Sequence, residues 1–201
     1  MKRIENASAK ELRRIRRIIG EAFVTNALFH EFGSPDERRP LVMLYMSAYT
    51  DYVISSKALY GTNDGTSFLG LQYSEGAPLM PQLKLLFRLI AQLPFSRLIK
   101  LLRHIRQIAD GNKQYASKPH MDILMAAVHP KAQGKGHASQ LIRFAQQQAA
   151  AKQVPLLADT DMKQYIEQVY LLPQIQSRSG ETTGAAFRFC PALQKCHINV
   201  T

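Results

Sequence analysis

The feature that most restricts what this chain can fold into lies past its middle, where a buried strand passes through a glycine-bearing turn straight into a helix. Ile123-Leu124-Met125-Ala126-Ala127-Val128 is an unbroken apolar run, opened by His120 and ended by His129-Pro130. Such a run, bounded by a proline, reads as a strand covered on both faces. The next residues, Lys131-Ala132-Gln133-Gly134-Lys135-Gly136, cannot prolong it. From about Gly136 to Lys152 the apolar residues Leu141, Ile142, Ala145 and Ala149 recur at helical spacing.

That junction has chemistry of its own. The first N–H groups of a helix have no partner within it and sit at the positive end of its dipole. Glycines let the backbone approach an anion with no side chain in the way. Lys131 and Lys135 add positive charge, so the turn reads as a diphosphate clamp. A P-loop would need glycine at position 129 and Ser or Thr at 136, where His129 and Gly136 stand. A dinucleotide fingerprint starting Gly134-x-Gly136 would need a third glycine where Ser139 stands, and no earlier strand-helix-strand unit supports it.

The rest of the chain supplies the frame. Ser8 and Glu11 form a capping box before Leu12, Ile15, Ile18, Ile19, Ala22 and Phe23, with Arg13, Arg14, Arg16 and Arg17 on the other, solvated face. Ser34-Pro35-Asp36-Glu37 opens a second helix running to about Ser55. Lys57–Tyr60 and Ser67–Tyr73 read as a hairpin around Gly61–Gly65. Gln82–Ala109 returns to helix, broken at Pro94, with no acidic residue between Gly76 and Ala109. Val154–Ala158 is a further strand, Met162–Leu172 a helix stopped by Pro173, and Ile175–Arg178 with Ala185–Cys190 a closing hairpin. The order predicts one mixed α/β domain over residues 1–201.

Length and composition agree with one ordinary globular domain. A chain of 201 residues, 46% hydrophobic and 20% charged, can bury a core. Cys190 and Cys196 make neither a disulfide framework nor a metal-ligand pattern, and no apolar stretch is long enough to span a bilayer. With no secretory signal at the N-terminus, the expected compartment is the cytoplasm and no metal is expected. The net charge of +11 favours anionic partners without choosing among nucleic acid, membrane and phosphorylated cofactor.

Gln133, Gly136 and Ala138 satisfy the Gln/Arg-x-x-Gly-x-Gly/Ala signature of the GNAT superfamily of N-acetyltransferases, and Val128-x-Pro130-x-x-Gln133-Gly134-x-Gly136 with Leu141 resembles the same family. His120 and its strand, preceded by helices, resemble the subset containing puromycin N-acetyltransferase-like proteins. The resemblance implies a mostly antiparallel twisted sheet with helices on both faces and a helical insertion before the motif strand. It implies acetyl-CoA as cosubstrate, held in a gap between the motif strand and the next. Ala126 and Val128 would offer main-chain groups there, and Gln133, Gly134, Lys135, Gly136, His137, Ala138 and Ser139 would hold the diphosphate. The acceptor would be a primary amine of a small molecule or peptide, acetylated by direct transfer in a monomer or homodimer. The family's general acid is a tyrosine on the helix after the second splayed strand. Tyr170 takes that role here, with Tyr165 the alternative, although neither recovers the family's Gly-Phe pair. Asp122, His120 and Glu75 are candidate bases. A different reading makes the chain a basic module on the same fold that binds nucleic acid or acidic lipid; sparse stacking aromatics in the acid-free stretch argue against nucleic acid.

Overall fold

The computed structural model describes residues 1–75, 79–93, 96–100, 103, 119–160 and 186–189. In chain order they form β1 (Lys2–Arg3), α1 (Ala9–Phe23), a 3-10 turn (Ala27–Phe32), α2 (Pro35–Ser55), β2 (Leu59–Gly61), β3 (Ser67–Tyr73), α3 (Leu79–Gln92), β4 (Met121–Val128), α4 (His137–Ala151), β5 (Leu156–Thr160) and β6 (Ala186–Phe189). The strands make one sheet in that order. β1 to β4 pair antiparallel, while β4, β5 and β6 run parallel.

Both faces of this sheet are covered, as the apolar run at 123–128 requires. On one face Ile15, Ile19 and Phe23 of α1 and Val42, Tyr45 and Met46 of α2 pack with Phe68, Met125 and Ala127. On the other, Leu141, Ile142, Ala145 and Ala149 of α4 pack with Leu69, Leu71, Ile123, Ala126 and Val128. The mixed α/β architecture is the one expected.

Helix starts follow the caps. Ser8 accepts from the Glu11 N–H while the Glu11 carboxylate accepts from the Ser8 N–H at 2.8 Å, and Ser34 with Glu37 repeats the arrangement. α3 begins at Leu79, earlier than the expected Gln82, because Pro81 falls in the first turn, where a missing N–H costs nothing. A further helical stretch covers 96–100. The expected remainder to Ala109, the helix Met162–Leu172 and the strand Ile175–Arg178 lie outside the described residues. The first hairpin strand starts at Leu59 because Lys57, at φ +55, is the left-handed turn that ends α2. Of the arginines expected on a solvated face, Arg13 and Arg17 are exposed. Arg16 is not free: it pairs with Asp51 of α2 at 2.6 Å, and Asp51 also takes Arg88 of α3, tying three helices together.

One irregularity in β4 shapes everything near the motif. Leu69 pairs with Ala126 and Gly70 with Met125, but the next residue, Leu71, pairs with Ile123. Leu124 is therefore an extra residue, a β-bulge. The side-chain alternation resets across it: Met121 and Ile123 face α4 before the bulge, Ala126 and Val128 after it. Leu124 and Met125 then both crowd the α1/α2 face, and Gly70 opposite makes the room. A Cβ at position 70 would lie 3.1 Å from Leu124 Cβ and from Met125 Cγ, and 3.3 Å from Val53 Cγ1. Gly70→Val is thus expected to cost about 1–3 kcal/mol by overpacking, read as a lower Tm in thermal melts, with Gly70→Ala losing less. An unchanged Tm for the valine variant would contradict this packing.

Candidate functional site

β4 and β5 part company at the bulge. Their pairing covers only Met121↔Leu156, Asp122↔Leu157 and Ile123↔Ala158. Beyond it β5 stays with β6, pairing Asp159↔Arg188 and Thr160↔Phe189, while β4 continues along β3 to Val128. A wedge-shaped gap opens between the two strands.

The main chain lining this gap can be read from the ladder. The His129 N–H donates to the Thr66 carbonyl at 2.8 Å, so His129 faces β3. Successive residues of a strand face opposite edges, so Ala127 and Met125 also face β3. Ala126 and Val128 turn their N–H and C=O groups to the opposite edge. Before the bulge that edge is filled, with Met121 N donating to Pro155 O at 2.9 Å. After it no strand among the described residues reaches Ala126 or Val128.

At its C-terminal end β4 runs into a tightly folded turn. His129 Nδ1 accepts from the Lys131 N–H at 3.1 Å, starting a 3-10 turn over Pro130–Ala132, and Ala132 is buried as its anchor. Gly134 and Gly136 both adopt left-handed backbone, at φ 76 and 79. Gly136 caps α4, its carbonyl accepting from the Gln140 N–H at 3.1 Å. Main-chain N–H groups from Gly134 to Ser139 find no acceptor among the described residues. No atom lies within 4 Å of where a Cβ would stand at Gly134 or Gly136. The turn is an open cradle whose floor is backbone, and a diphosphate fits its donors.

The residues expected to hold that group, Gln133, Gly134, Lys135, Gly136, His137, Ala138 and Ser139, are thus consecutive around one turn and the start of α4. Gly134, Lys135, Gly136 and Ser139 are exposed. Ala138 packs toward the sheet, and His137 has a buried ring Nδ1 with no partner among the described residues. Ala138 can offer only its main chain to a ligand.

The tip of the β2–β3 hairpin braces the turn. Thr66, whose carbonyl receives the His129 N–H, also gives its N–H and hydroxyl to the Asp64 carboxylate, and Thr62 donates its hydroxyl to the same group.

The candidate bases sit toward the other end of β4. His120 Nε2 lies 3.2 Å from Asp122 Oδ2, and the Glu75 carboxylate accepts from the Tyr73 hydroxyl at 2.9 Å. Asp122 alternates with Met121 and Ile123, so it shares the α2 face with the bulge. Tyr170 and Tyr165 lie outside the described residues. Sequence reasoning passed over two tyrosines of α2. The Tyr49 hydroxyl donates to the bulge carbonyl of Leu124 at 3.3 Å, and that of Tyr52 to Gln72 Oε1 at 3.2 Å, with the Tyr49 ring stacked on Tyr45. Their spacing, Tyr45-x-x-x-Tyr49-x-x-Tyr52, places all three on one helix face and was the available signal.

The family model of the Acetyltransferase (GNAT) family matches residues 102–168. This is a third of the chain; it takes in β4, the glycine turn, α4, β5 and Tyr165, and it stops short of Tyr170. No curated protein matches the chain. The mixed sheet with helices on both faces agrees with the GNAT fold.

The hairpin brace gives a pH test. Hydrogen bonds from the Thr62 and Thr66 hydroxyls and the Thr66 N–H, with a smaller contribution from nearby His137, lower the Asp64 carboxyl from 3.8 to about 2. A depressed folded-state value means the stabilisation is fully present above 3.8 and is lost as pH falls through about 2. The Tm difference between wild type and Asp64→Asn should be widest above that window and close across it. A difference independent of pH would show that the carboxylate does not hold the tip.

Proposed function

We propose that this chain is an acetyl-CoA-dependent N-acetyltransferase of the GNAT superfamily, a single domain that moves an acetyl group directly to a primary amine of a small molecule or peptide. One observation carries the reading: a strand edge whose main-chain groups at Ala126 and Val128 have no partner among the described residues leads directly into a turn whose N–H groups have none among them either. A ligand with an amide-bearing arm and a diphosphate matches that sequence of donors and acceptors. The His120 strand and the preceding helices align the chain with the puromycin N-acetyltransferase-like subset.

Acetyl-CoA supplies an acyl group already activated as a thioester. Gln133 through Ser139 hold its diphosphate by backbone donors at a helix N-terminus, with Lys131 and Lys135 adding charge. Ala126 and Val128 pair with the arm, and an N–H facing the gap can stabilise negative charge on a carbonyl oxygen lying there. In the transfer the amine nitrogen bonds to the acyl carbon, the carbon–sulfur bond breaks, the amine loses a proton and the departing sulfur gains one. Tyr170 gives that proton. Asp122, His120 and Glu75 are the candidates to receive the amine proton, directly or through water. The acceptor site is walled by α2 and α3, whose sequences can vary without altering the cofactor scaffold.

Isothermal titration with acetyl-CoA tests the reading, and the absence of heat at millimolar ligand would end it. Gly136→Val, which forces a branched side chain into left-handed backbone at the mouth of the cradle, should weaken binding at least about tenfold with the far-UV circular dichroism retained. Tyr170→Phe should lower kcat by about two orders of magnitude or more while leaving the acetyl-CoA Kd unchanged. The same loss in Tyr165→Phe, with Tyr170→Phe active, would transfer the role to Tyr165.

A further inference from the structure

α3 carries an apolar face that no described part of the fold packs against. Leu89 is buried, Leu85 is partly so, and Leu93 just beyond the helix is buried; these pack it onto the core beside α2. Leu79, Met80, Leu83, Leu86, Phe87 and Ile90 remain outside, with Leu79 72%, Phe87 69% and Ile90 52% exposed. At 100° per residue these six fall within one arc of the helix, so they form a continuous stripe and not scattered greasy positions. Patches of this kind on a soluble surface mark an interaction site.

The charge around the stripe says what covers it. Lys84 borders it on the helix, and Arg97, Lys100 and Arg103 follow, all exposed. Arg88, beside Lys84, is occupied by Asp51. No aspartate or glutamate occurs between Gly76 and Ala109 to balance them. A second copy laid on this face would bring the same cations together, which opposes a symmetric dimer through it. A helix of 14 residues is about 21 Å long, too short to cross a bilayer, and no helix among the described residues is long and apolar enough to do so. An apolar stripe edged by cations is the pattern of a helix lying in the plane of a membrane interface.

We propose that the exposed face of α3 docks this protein on an anionic phospholipid surface, with the six apolar side chains in the acyl boundary and Lys84, Arg97, Lys100 and Arg103 among the headgroups. Such docking would hold the α3 side of the proposed acceptor site against the lipid, so that amines presented at a membrane become reachable substrates. The docking itself does not depend on acetyl transfer.

The full chain should float with phosphatidylcholine vesicles containing phosphatidylserine and only weakly with phosphatidylcholine alone, and raised salt should release it. Leu83→Asp combined with Phe87→Asp should weaken vesicle binding by about tenfold or more, and Lys84→Glu, an exposed single change, by a few-fold. Thermal melts of each variant report folding, so the result reads the same whether or not acetyl-CoA binds. Absence of binding to the anionic vesicles would overturn the proposal, as would equal binding by wild type and both variants. Concentration-dependent self-association removed by the double change, or salt-sensitive binding to duplex DNA without vesicle binding, would assign the face to a second copy or to nucleic acid instead.

Discussion

The single extra residue in β4 is what the candidate site depends on. A regular strand between β3 and β5 would go on pairing with β5 past Ile123, and more of its main-chain groups would be spent inside the sheet. With Leu124 inserted, the strand bends and its twist increases, so β5 can follow it only through Ile123. The groups at Ala126 and Val128 that no described strand pairs with are the direct result. The bulge is itself held from two sides. Gly70 leaves space for the two side chains that it pushes onto one face, and the Tyr49 hydroxyl satisfies the carbonyl it exposes. A buried polar group without a partner would cost about 1–3 kcal/mol, so that hydroxyl helps make the irregularity tolerable.

The turn beyond β4 works on a different principle. Its geometry comes from backbone conformation, with two left-handed glycines flanking Lys135, and its position from outside bonds: Thr66 receives His129, and Asp64 organises Thr66. The turn is therefore held by the chain's own contacts, and a site ordered in this way lowers the cost of binding an anion. Bulge and turn lie at the two ends of one five-residue stretch, Leu124–Val128, and the rigidity of the sheet fixes the distance between them.

How much of this was legible in the sequence follows from which signals are local. The caps Ser8/Glu11 and Ser34/Glu37, the apolar run, and the turn with its helix were readable because each is written in adjacent residues. The bulge was not, because Ile123 through Val128 are all apolar and a parity shift leaves no mark in a run buried on both faces; only Gly70, a lone glycine in a strand on the far side of the pairing, hinted at it. β1 escaped because a two-residue charged edge strand has no period to detect. Arg16 was assigned to solvent because its helix periodicity is correct, yet Asp51 lies 35 positions away and no local pattern announces it. The proposed acid, Tyr170, rests on the family resemblance and its distance along the chain from Thr160, since residues 161–185 lie outside those described.

The chain's excess of positive charge now divides into kinds. Arg3, Arg16, Arg39 and Arg88 are paired with carboxylates, and Arg38, buried, donates to the carbonyl of Val24 at 2.6 Å. These are structural. The exposed cations without a partner among the described residues include two groups that differ in their surroundings. Lys131 and Lys135 flank a fan of fixed main-chain donors, and directional donors select a compact anion with defined oxygens. Lys84 borders the apolar stripe of α3, and Arg97, Lys100 and Arg103 follow it along the chain at exposed helical positions, where backbone donors are largely spent in the helix. Flexible cations beside a hydrophobic stripe offer no fixed geometry, and so suit a diffuse anionic surface better than any single phosphate. Net charge alone could not separate these two proposed uses; backbone donors without a partner among the described residues at one site and exposed hydrocarbon at the other can.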